Sequence, residues 1–136
     1  MKVFISGSAD ITTIPRDAKN AIDNIIATYP NAIFLVGDCK GTDTIIQTYL
    51  AAKHYPFIVY HVGSEPRNCL PSANAVIKVN AYGKYGRDFY TQKDIQMTID
   101  CDICIAIWNG HSKGTKANID RAYARNKPVY IYDTRR

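Results

Sequence analysis

Two short glycine loops contain the residues best suited to chemistry in this 136-residue chain. The apolar run at 32–36 is followed by Gly37-Asp38-Cys39-Lys40-Gly41-Thr42-Asp43, and the run at 103–108 by Gly110-His111-Ser112-Lys113-Gly114-Thr115. Each loop includes a lysine and opens into a helical pattern. Such a loop between a strand and a helix presents backbone N–H groups and the positive end of a helix to an anion. The two loops therefore predict a phosphorylated ligand, such as a nucleotide derivative.

Alternating strands and helices must position these loops. Apolar runs predict strands at 2–6, 32–36, 56–60, 103–108 and 129–132, and helical periodicity predicts helices from Pro15 to about 29, from Thr42, at 89–100 and at 115–125. The strand runs are apolar throughout, which indicates a parallel sheet covered on both faces. We therefore expect an α/β, Rossmann-like three-layer sandwich with a five-stranded, mainly parallel sheet. Pro56 favours an edge position for the third strand.

The regular pattern weakens between 61 and 88, which we interpret as an irregular insert with a candidate extra strand at 75–79. Residues 81–87 contain two glycines and predict a flap that brings Arg87 over an anion. Long connections of this kind are usually functional or disordered.

Composition indicates one soluble globular domain spanning 1–136, with 46% apolar and 21% charged residues. The apolar runs are too short to cross a membrane, and the amino terminus has no signal-peptide pattern, so we expect a cytoplasmic protein. The net charge of +5 suits an anionic ligand. Nucleic acid is not expected because the basic residues form no stripe.

Three further patterns do not predict a function. Cys101 and Cys104 form a C-x-x-C motif that leaves a helix instead of beginning one, and the three histidines lack ligand spacing, so no metal site is expected. The G-x-S-x-G pattern around Ser112 has no histidine after it to complete a hydrolase triad. The G-x-G-x-x-G and Walker A patterns are absent, so no cofactor is expected.

The loops, taken together, resemble the SLOG superfamily. The residues that carry this likeness are Gly7-Ser8, Gly37-Asp38-x-x-Gly41-x-Asp43, Gly110-x-Ser112-x-Gly114-Thr115 and Phe89-Tyr90-Thr91-x-Lys93-Asp94-x-x-Met97. The superfamily contains Rossmann-like domains related to the LONELY GUY phosphoribohydrolases and the DNA-processing protein A core. The likeness covers 2–132 and is nearest to short stand-alone bacterial and phage members. It implies sheet order 3-2-1-4-5, a homo-oligomer, and binding of nucleotides or ADP-ribose-type signals.

The resemblance also implies two catalytic positions, and this chain departs from the pattern at both. Enzymatic members cleave an N-glycosidic bond with an arginine four residues before a methionine and a glutamate that ends G-T-x-x-E. Here these positions hold Lys93 and Asn118. An amide cannot take a proton at neutral pH, and loss of a general base lowers a rate by roughly 10²–10⁴. Asp120 lies about 200° around the helix from Asn118 and is a poor substitute.

The expected roles of the site residues follow from the loops and the resemblance. The N–H groups of Gly114, Thr115 and Lys116 are expected to hold a phosphate. Asp43 is expected to bind a ribose hydroxyl or cap its helix, and Trp108 to stack on a base or pack in the core. The expected ligand-binding residues are Gly7, Ser8, Gly37, Asp38, Gly41, Asp43, Arg87, Tyr90, Lys93, Trp108, Gly110, Ser112, Gly114, Thr115, Lys116 and Asn118.

Three functional classes remain at this stage. The first is a sensor or sequestering protein that binds a phosphorylated nucleotide or ADP-ribose-type derivative. The alternative is a phosphoribohydrolase or deoxyribosyltransferase-like enzyme with Lys93 and Asn118 as its candidate catalytic residues. A DNA-binding accessory protein is the third, and only the basic charge and the distant kinship favour it.

Overall fold

Strands alternate with helices along the chain, of which a computed structural model describes residues 1–83 and 86–135. The strands are β1 (Lys2–Gly7), β2 (Ile33–Val36), β3 (Phe57–His61), β4 (Ala75–Lys78), β5 (Ile103–Trp108) and β6 (Val129–Asp133). The helices are α1 (Arg16–Thr28), α2 (Thr42–Ala52), α3 (Arg87–Asp100) and α4 (Lys113–Ala124). The longest of these helices, α3, has 14 residues, and in the part of the chain described here none could cross a bilayer.

The strands form one parallel sheet in the order β4-β3-β2-β1-β5-β6. A mainly parallel α/β sheet is therefore confirmed, but the prediction of five strands is wrong. The sixth strand is β4, the candidate extra strand, which pairs with β3 through Ile58 and Ala75. The edge position that Pro56 predicted for β3 is therefore wrong, because β3 pairs with β2 on one side and β4 on the other. All four residues of β4 are exposed, so pairing with β3 rather than burial defines this strand.

Alternate side chains of the central strands enter two apolar layers. Val3 and Ile5 of β1 pack with Ile22 of α1 on one face of the sheet. Phe4 packs with Met97 of α3 on the other face. Burial on both faces explains why the strand runs are continuously apolar. The layers fix the helices against the sheet, so that the amino termini of α2 and α4 lie at the carboxyl edge of β2 and β5.

The cysteine pair joins α3 to the sheet. Cys101 ends α3, Cys104 lies in β5, and their Sγ atoms are 3.5 Å apart with both side chains buried. The predicted flap at 81–87 includes Lys84 and Tyr85, which lie outside the described residues. Arg87 is not part of a loop, because α3 begins at that residue.

Candidate ligand site

A cavity of about 360 Å³ opens at the carboxyl edge of the sheet, and we call it the edge cavity. Loops after β1, β2 and β5 form its wall together with the first turns of α3 and α4. The predicted residues that line it are Gly7, Gly37, Asp43, Arg87, Tyr90, Lys93, Ser112, Gly114, Thr115 and Asn118. The structure thus brings most of the predicted set together, while their role in binding stays a prediction.

Other predicted residues lie outside the cavity wall and have structural partners. Ser8 is buried, and its Oγ accepts a hydrogen bond from the Asn109 N–H at 3.1 Å. Trp108 donates from Nε1 to the Ser112 carbonyl at 3.0 Å, so it anchors the loop before α4. Gly110 packs against Arg135, whose guanidinium would lie 2.6 Å from an added Cβ. Lys116 forms an exposed ion pair with Asp120 at 2.7 Å.

The amino terminus of α4 is the part of the cavity wall best suited to an anion. The Thr115 N–H donates to Ser112 Oγ at 3.3 Å, and the Lys116 N–H to the Ser112 carbonyl at 3.1 Å. Of the three amides expected to hold phosphate, only that of Gly114 has no acceptor within residues 1–83 and 86–135. An added Cβ at Gly114 would meet no atom within 4 Å. Of the three amides that were expected to hold phosphate, one is therefore free, and the space beside it is open.

Asn109 holds this loop in place. Its Oδ1 accepts hydrogen bonds from the N–H groups of His111 and Ser112, each at 2.8 Å. Its Nδ2 donates to Asp10 at 3.0 Å. An asparagine that accepts from the backbone two residues ahead forms a local turn. The free amide of Gly114 is therefore presented by a constrained loop.

Lys93 contributes a buried positive charge to the cavity, and only 4% of the residue is exposed. Its Nζ contacts Asp94 Oδ1 at 3.0 Å and the Tyr90 carbonyl at 3.2 Å. Burial alone would lower the pKa of Lys93, but the neighbouring carboxylates Asp94 and Asp43 outweigh it and raise that pKa. The side chain is therefore a cation at neutral pH.

Asp43 lies in the first turn of α2 and accepts a hydrogen bond from the Cys39 N–H at 3.0 Å. Desolvation raises the pKa of Asp43 to about 7, against the opposing charge of Lys93. Gly37 makes room for both side chains, since an added Cβ would lie 2.6 Å from Asp43 Oδ2 and 3.2 Å from Lys93 Cε. Gly7 likewise makes room for Thr42. These glycines accommodate the protein's own groups.

Asn118 lies between a carboxylate and a guanidinium. Its Oδ1 accepts a hydrogen bond from Arg121 Nη2, and its Nδ2 is 3.5 Å from Asp94 Oδ2. Burial lowers the pKa of Arg121, although the charge of Asp94 opposes this change. Asn118 has no carboxylate of its own, but the carboxylate of Asp94 lies beside it.

Arg67 is a cavity residue that the sequence analysis missed. It comes from the irregular segment 62–74, and its backbone N–H and Nη2 each contact a different oxygen of Asp38 at 2.8 Å. Burial alone would raise the pKa of Asp38, but Arg67 outweighs it and lowers that pKa. Asp38, expected to bind ligand, instead holds Arg67. No local pattern marks this pair, because its members are 29 residues apart.

Gly41 packs against a second loop, and further residues of α3 and α4 line the cavity. Gly41 has φ +86°, and an added Cβ would lie 2.0 Å from the Ala9 carbonyl oxygen, so this glycine joins two loops. Thr91, Asp94 and Lys113 also line the cavity and were not among the expected ligand-binding residues. Helical periodicity was the available signal for the first two, which share a face of α3 with Arg87 and Tyr90. No group of three metal-binding side chains occurs among the described residues.

The fold is similar to three solved structures. The molybdenum cofactor carrier protein of Chlamydomonas reinhardtii is 19% identical, with a TM-score of 0.65 over 96% of this chain and 74% of that one. The molybdenum cofactor binding protein of the phototrophic bacterium Rippkaea orientalis is 17% identical, with a TM-score of 0.66 and the same coverage. The structural genomics target TM1055 is 20% identical, with a TM-score of 0.62 over 94% of this chain and 71% of that one.

These similarities concern the fold, which is Rossmann-like. No protein-family model and no curated protein matches the sequence.

Proposed function

We propose that the edge cavity binds a phosphorylated nucleotide or an ADP-ribose-type derivative, and that the chain is a cytoplasmic sensor or sequestering protein. The observation that carries this proposal is the amino terminus of α4 at the cavity wall, where Ser112 caps the Thr115 N–H but leaves one amide open. There the Gly114 N–H has no acceptor among the described residues, and Lys113 adds a positive charge. Helix amino termini attract phosphate through free N–H groups and the helix dipole.

The other helices support this assignment by contrast. The first turns of α1, α2 and α3 contain Asp17, Asp43 and Asp88, whereas that of α4 contains no acid. An acidic side chain in the first turn stabilises a helix by about 0.3–1 kcal/mol. In α4 the neutral Ser112 hydroxyl caps the Thr115 N–H, and a bound phosphate supplies the negative charge that the acid supplies in the other helices.

The size and charge of the cavity also fit a small anionic ligand. Small-molecule sites usually enclose about 300–1,000 Å³, and this cavity lies at the lower end of that range. The buried cation of Lys93 adds attraction for an anion, although Asp43 and Asp94 limit it. Two structural neighbours are described as carrying or binding the molybdenum cofactor, which supports binding of a small molecule on this fold.

We further propose that the chain is a short stand-alone member of the SLOG superfamily, and that it forms a homo-oligomer. The Rossmann-like fold and the three loops at one sheet edge support the first point. Light scattering of the purified protein tests the second, and a monomeric mass contradicts it.

Calorimetry with inorganic phosphate, AMP and ADP-ribose tests the binding function. We expect Lys113→Ala to weaken binding of these ligands. Lys116→Ala is the matched control, because its side chain lies outside the cavity wall and pairs with Asp120. Equal losses in both variants, or no binding by the unmodified protein, contradict the proposal. Mass spectrometry of a co-purified molecule identifies the ligand.

The carboxylates of the cavity favour a second candidate, the cleavage of an N-glycosidic bond. Such cleavage requires a carboxylate that stabilises the oxocarbenium-like centre or activates water. Asp94 lies beside Asn118, and Asp43 has a pKa of about 7, in the range useful for proton transfer. The two carboxylates thus offer the chemistry that Asn118 itself cannot supply.

Chromatography of free base after incubation with nucleoside 5′-monophosphates tests this candidate. If the protein is an enzyme, Asp94→Asn should lower turnover by about 10²–10⁴, the usual contribution of general acid–base catalysis. Lys116→Ala should leave turnover unchanged. Binding without release of base excludes the enzyme and leaves the sensor.

A further inference from the structure

We propose that Arg67 and Tyr90 form a stacking subsite for a planar nitrogen heterocycle of the ligand. This inference rests on the proposed function, because the heterocycle belongs to the same phosphorylated molecule. Both residues line the edge cavity, and the Arg67 Cζ lies 3.9 Å from the centre of the Tyr90 ring. The guanidinium of Arg67 therefore lies over the phenol ring of Tyr90 at the cavity wall.

The stack is held in place by a network of hydrogen bonds. Both oxygens of Asp38, a residue with no exposed surface, accept hydrogen bonds from Arg67 at 2.8 Å. Asn68 donates to the Asp38 carbonyl at 2.9 Å. Gln47 donates to the carbonyls of Gly37 and Asn68 at 3.1 Å and so ties the segment to the loop after β2. Arg67 is thus preorganised before ligand binds.

The charge of Arg67 favours a ring contact over a phosphate contact. Asp38 neutralises the guanidinium at close range and uses one of its terminal nitrogens. A compensated cation attracts phosphate weakly, but its planar face stacks on conjugated rings. The Arg67 side chain is 35% exposed although its Cζ lies over the Tyr90 ring, so area remains for a second planar group.

The other aromatic side chains at or near the cavity wall are less suited to stack on a ring. Trp108, the residue expected to stack on a base, bonds to the Ser112 carbonyl and is not part of the wall. Phe4 lines the cavity but is only 2% exposed. In the described part of the wall, Arg67, Tyr90 and Arg87 are the planar groups that remain for a ring, and of these Arg67 lies over the ring of Tyr90. In this arrangement the phosphate contacts α4, and the ring contacts the 62–74 segment and α3.

Calorimetry with AMP, ribose 5-phosphate and inorganic phosphate tests the subsite, because only AMP contains the ring. Stacking of a base contributes about tenfold or more to affinity. We expect AMP to bind about tenfold more tightly than ribose 5-phosphate. Arg67→Lys keeps the charge but removes the plane, so it should reduce this ratio to about one without changing the affinity for ribose 5-phosphate.

A second pair of variants keeps the test independent of the Asp38 contact. Tyr90→Phe preserves a ring and should retain the AMP preference, whereas Tyr90→Leu should lose it. Thermal unfolding verifies that each variant folds. Equal affinities of the unmodified protein for AMP and ribose 5-phosphate, or an AMP preference that survives both Arg67→Lys and Tyr90→Leu, overturn the stacking subsite. Failure of all three ligands to bind overturns the proposed function instead.

Discussion

The two glycine loops have the same layout of strand, loop and helix, but the protein closes one and leaves the other open. After β2, the Cys39 N–H donates to Asp43 at 3.0 Å, and Asp38 is occupied by Arg67. After β5, the first turn of α4 has no acid, and the Gly114 N–H has no acceptor among the described residues. The first loop is therefore a structural joint, and the second is a candidate anion site.

The glycines of the two loops differ in the same way. An added Cβ would lie 2.0 Å from a backbone oxygen at Gly41 but would meet nothing within 4 Å at Gly114. A glycine in such a loop permits either close packing of the chain or access for a ligand. The second residue of the following helix distinguishes the two loops, because it is Asp43 in α2 and Gly114 in α4. Asp43 accepts a hydrogen bond from the loop N–H of Cys39, whereas α4 has no acid in its first turn and the Gly114 N–H has no acceptor among the described residues.

Gly41→Ala should have the largest effect and tests the structural role of the first loop. The φ of +86° and the close Ala9 carbonyl should destabilise the variant by about 2–4 kcal/mol. Gly114→Ala is the matched control and should stabilise α4 by up to about 1 kcal/mol. Urea unfolding measures both free energies. A Gly41→Ala protein as stable as the Gly114→Ala protein contradicts the comparison.

Asp43→Asn should change how stability depends on pH. Desolvation raises the pKa of Asp43 from its ordinary 3.8 to about 7, so between these values the folded protein binds a proton that the unfolded chain lacks. Stability from this group therefore falls as pH rises from about 4 to about 7. The amide of the variant cannot titrate, so the variant should gain about 2–3 kcal/mol relative to the unmodified protein over the upper two pH units of this window.

Urea unfolding of both proteins at several pH values, from about two units below the raised pKa to about one unit above it, measures this difference. The free energies of unfolding should diverge up to about pH 7 and run parallel above it. Parallel curves over the whole range show that Asp43 is solvated in the folded protein. The first loop would then not be closed by a desolvated carboxyl group.

Gly114→Glu should convert the second loop into a copy of the first. The glutamate supplies the acid missing from the first turn and should stabilise α4 by about 1 kcal/mol. It should also lower phosphate affinity about tenfold or more, because it repels the anion and competes for the same N–H group. Gly114→Gln has nearly the same shape without the charge. Equal losses of affinity in both variants show that steric exclusion, rather than charge, explains the effect.

The sequence predicted the layers of the fold because continuous apolar runs require burial on both faces of a sheet. It gave a candidate extra strand at 75–79 but did not count it in the sheet, because Val76 and Ile77 are exposed and pairing with β3 is visible only in three dimensions. The strand ends similarly predicted most of the cavity wall, since parallel strands bring their carboxyl ends to one edge.

The contacts at the site that the sequence did not predict have a common feature, because they join residues far apart in the chain. The sequence predicts that Asp38 binds ligand, but both of its oxygens accept hydrogen bonds from Arg67, 29 positions later in the chain. Asn118 lacks a charge, but Asp94 lies 3.5 Å away from another helix. Loop spacing predicts where polar groups lie, whereas their hydrogen-bond partners depend on how distant parts of the chain pack together.

Ser112→Ala should have the smallest effect and tests whether ligand and protein compete for the same amides. Ser112 Oγ accepts from the Thr115 N–H at 3.3 Å, and loss of such a cap costs about 1 kcal/mol. A bound phosphate can accept from the freed N–H, so saturating AMP should reduce this deficit. Thermal unfolding with and without AMP measures it. A deficit that is unchanged or larger with AMP places the anion away from the amino terminus of α4, and the second loop would then be open without being the site.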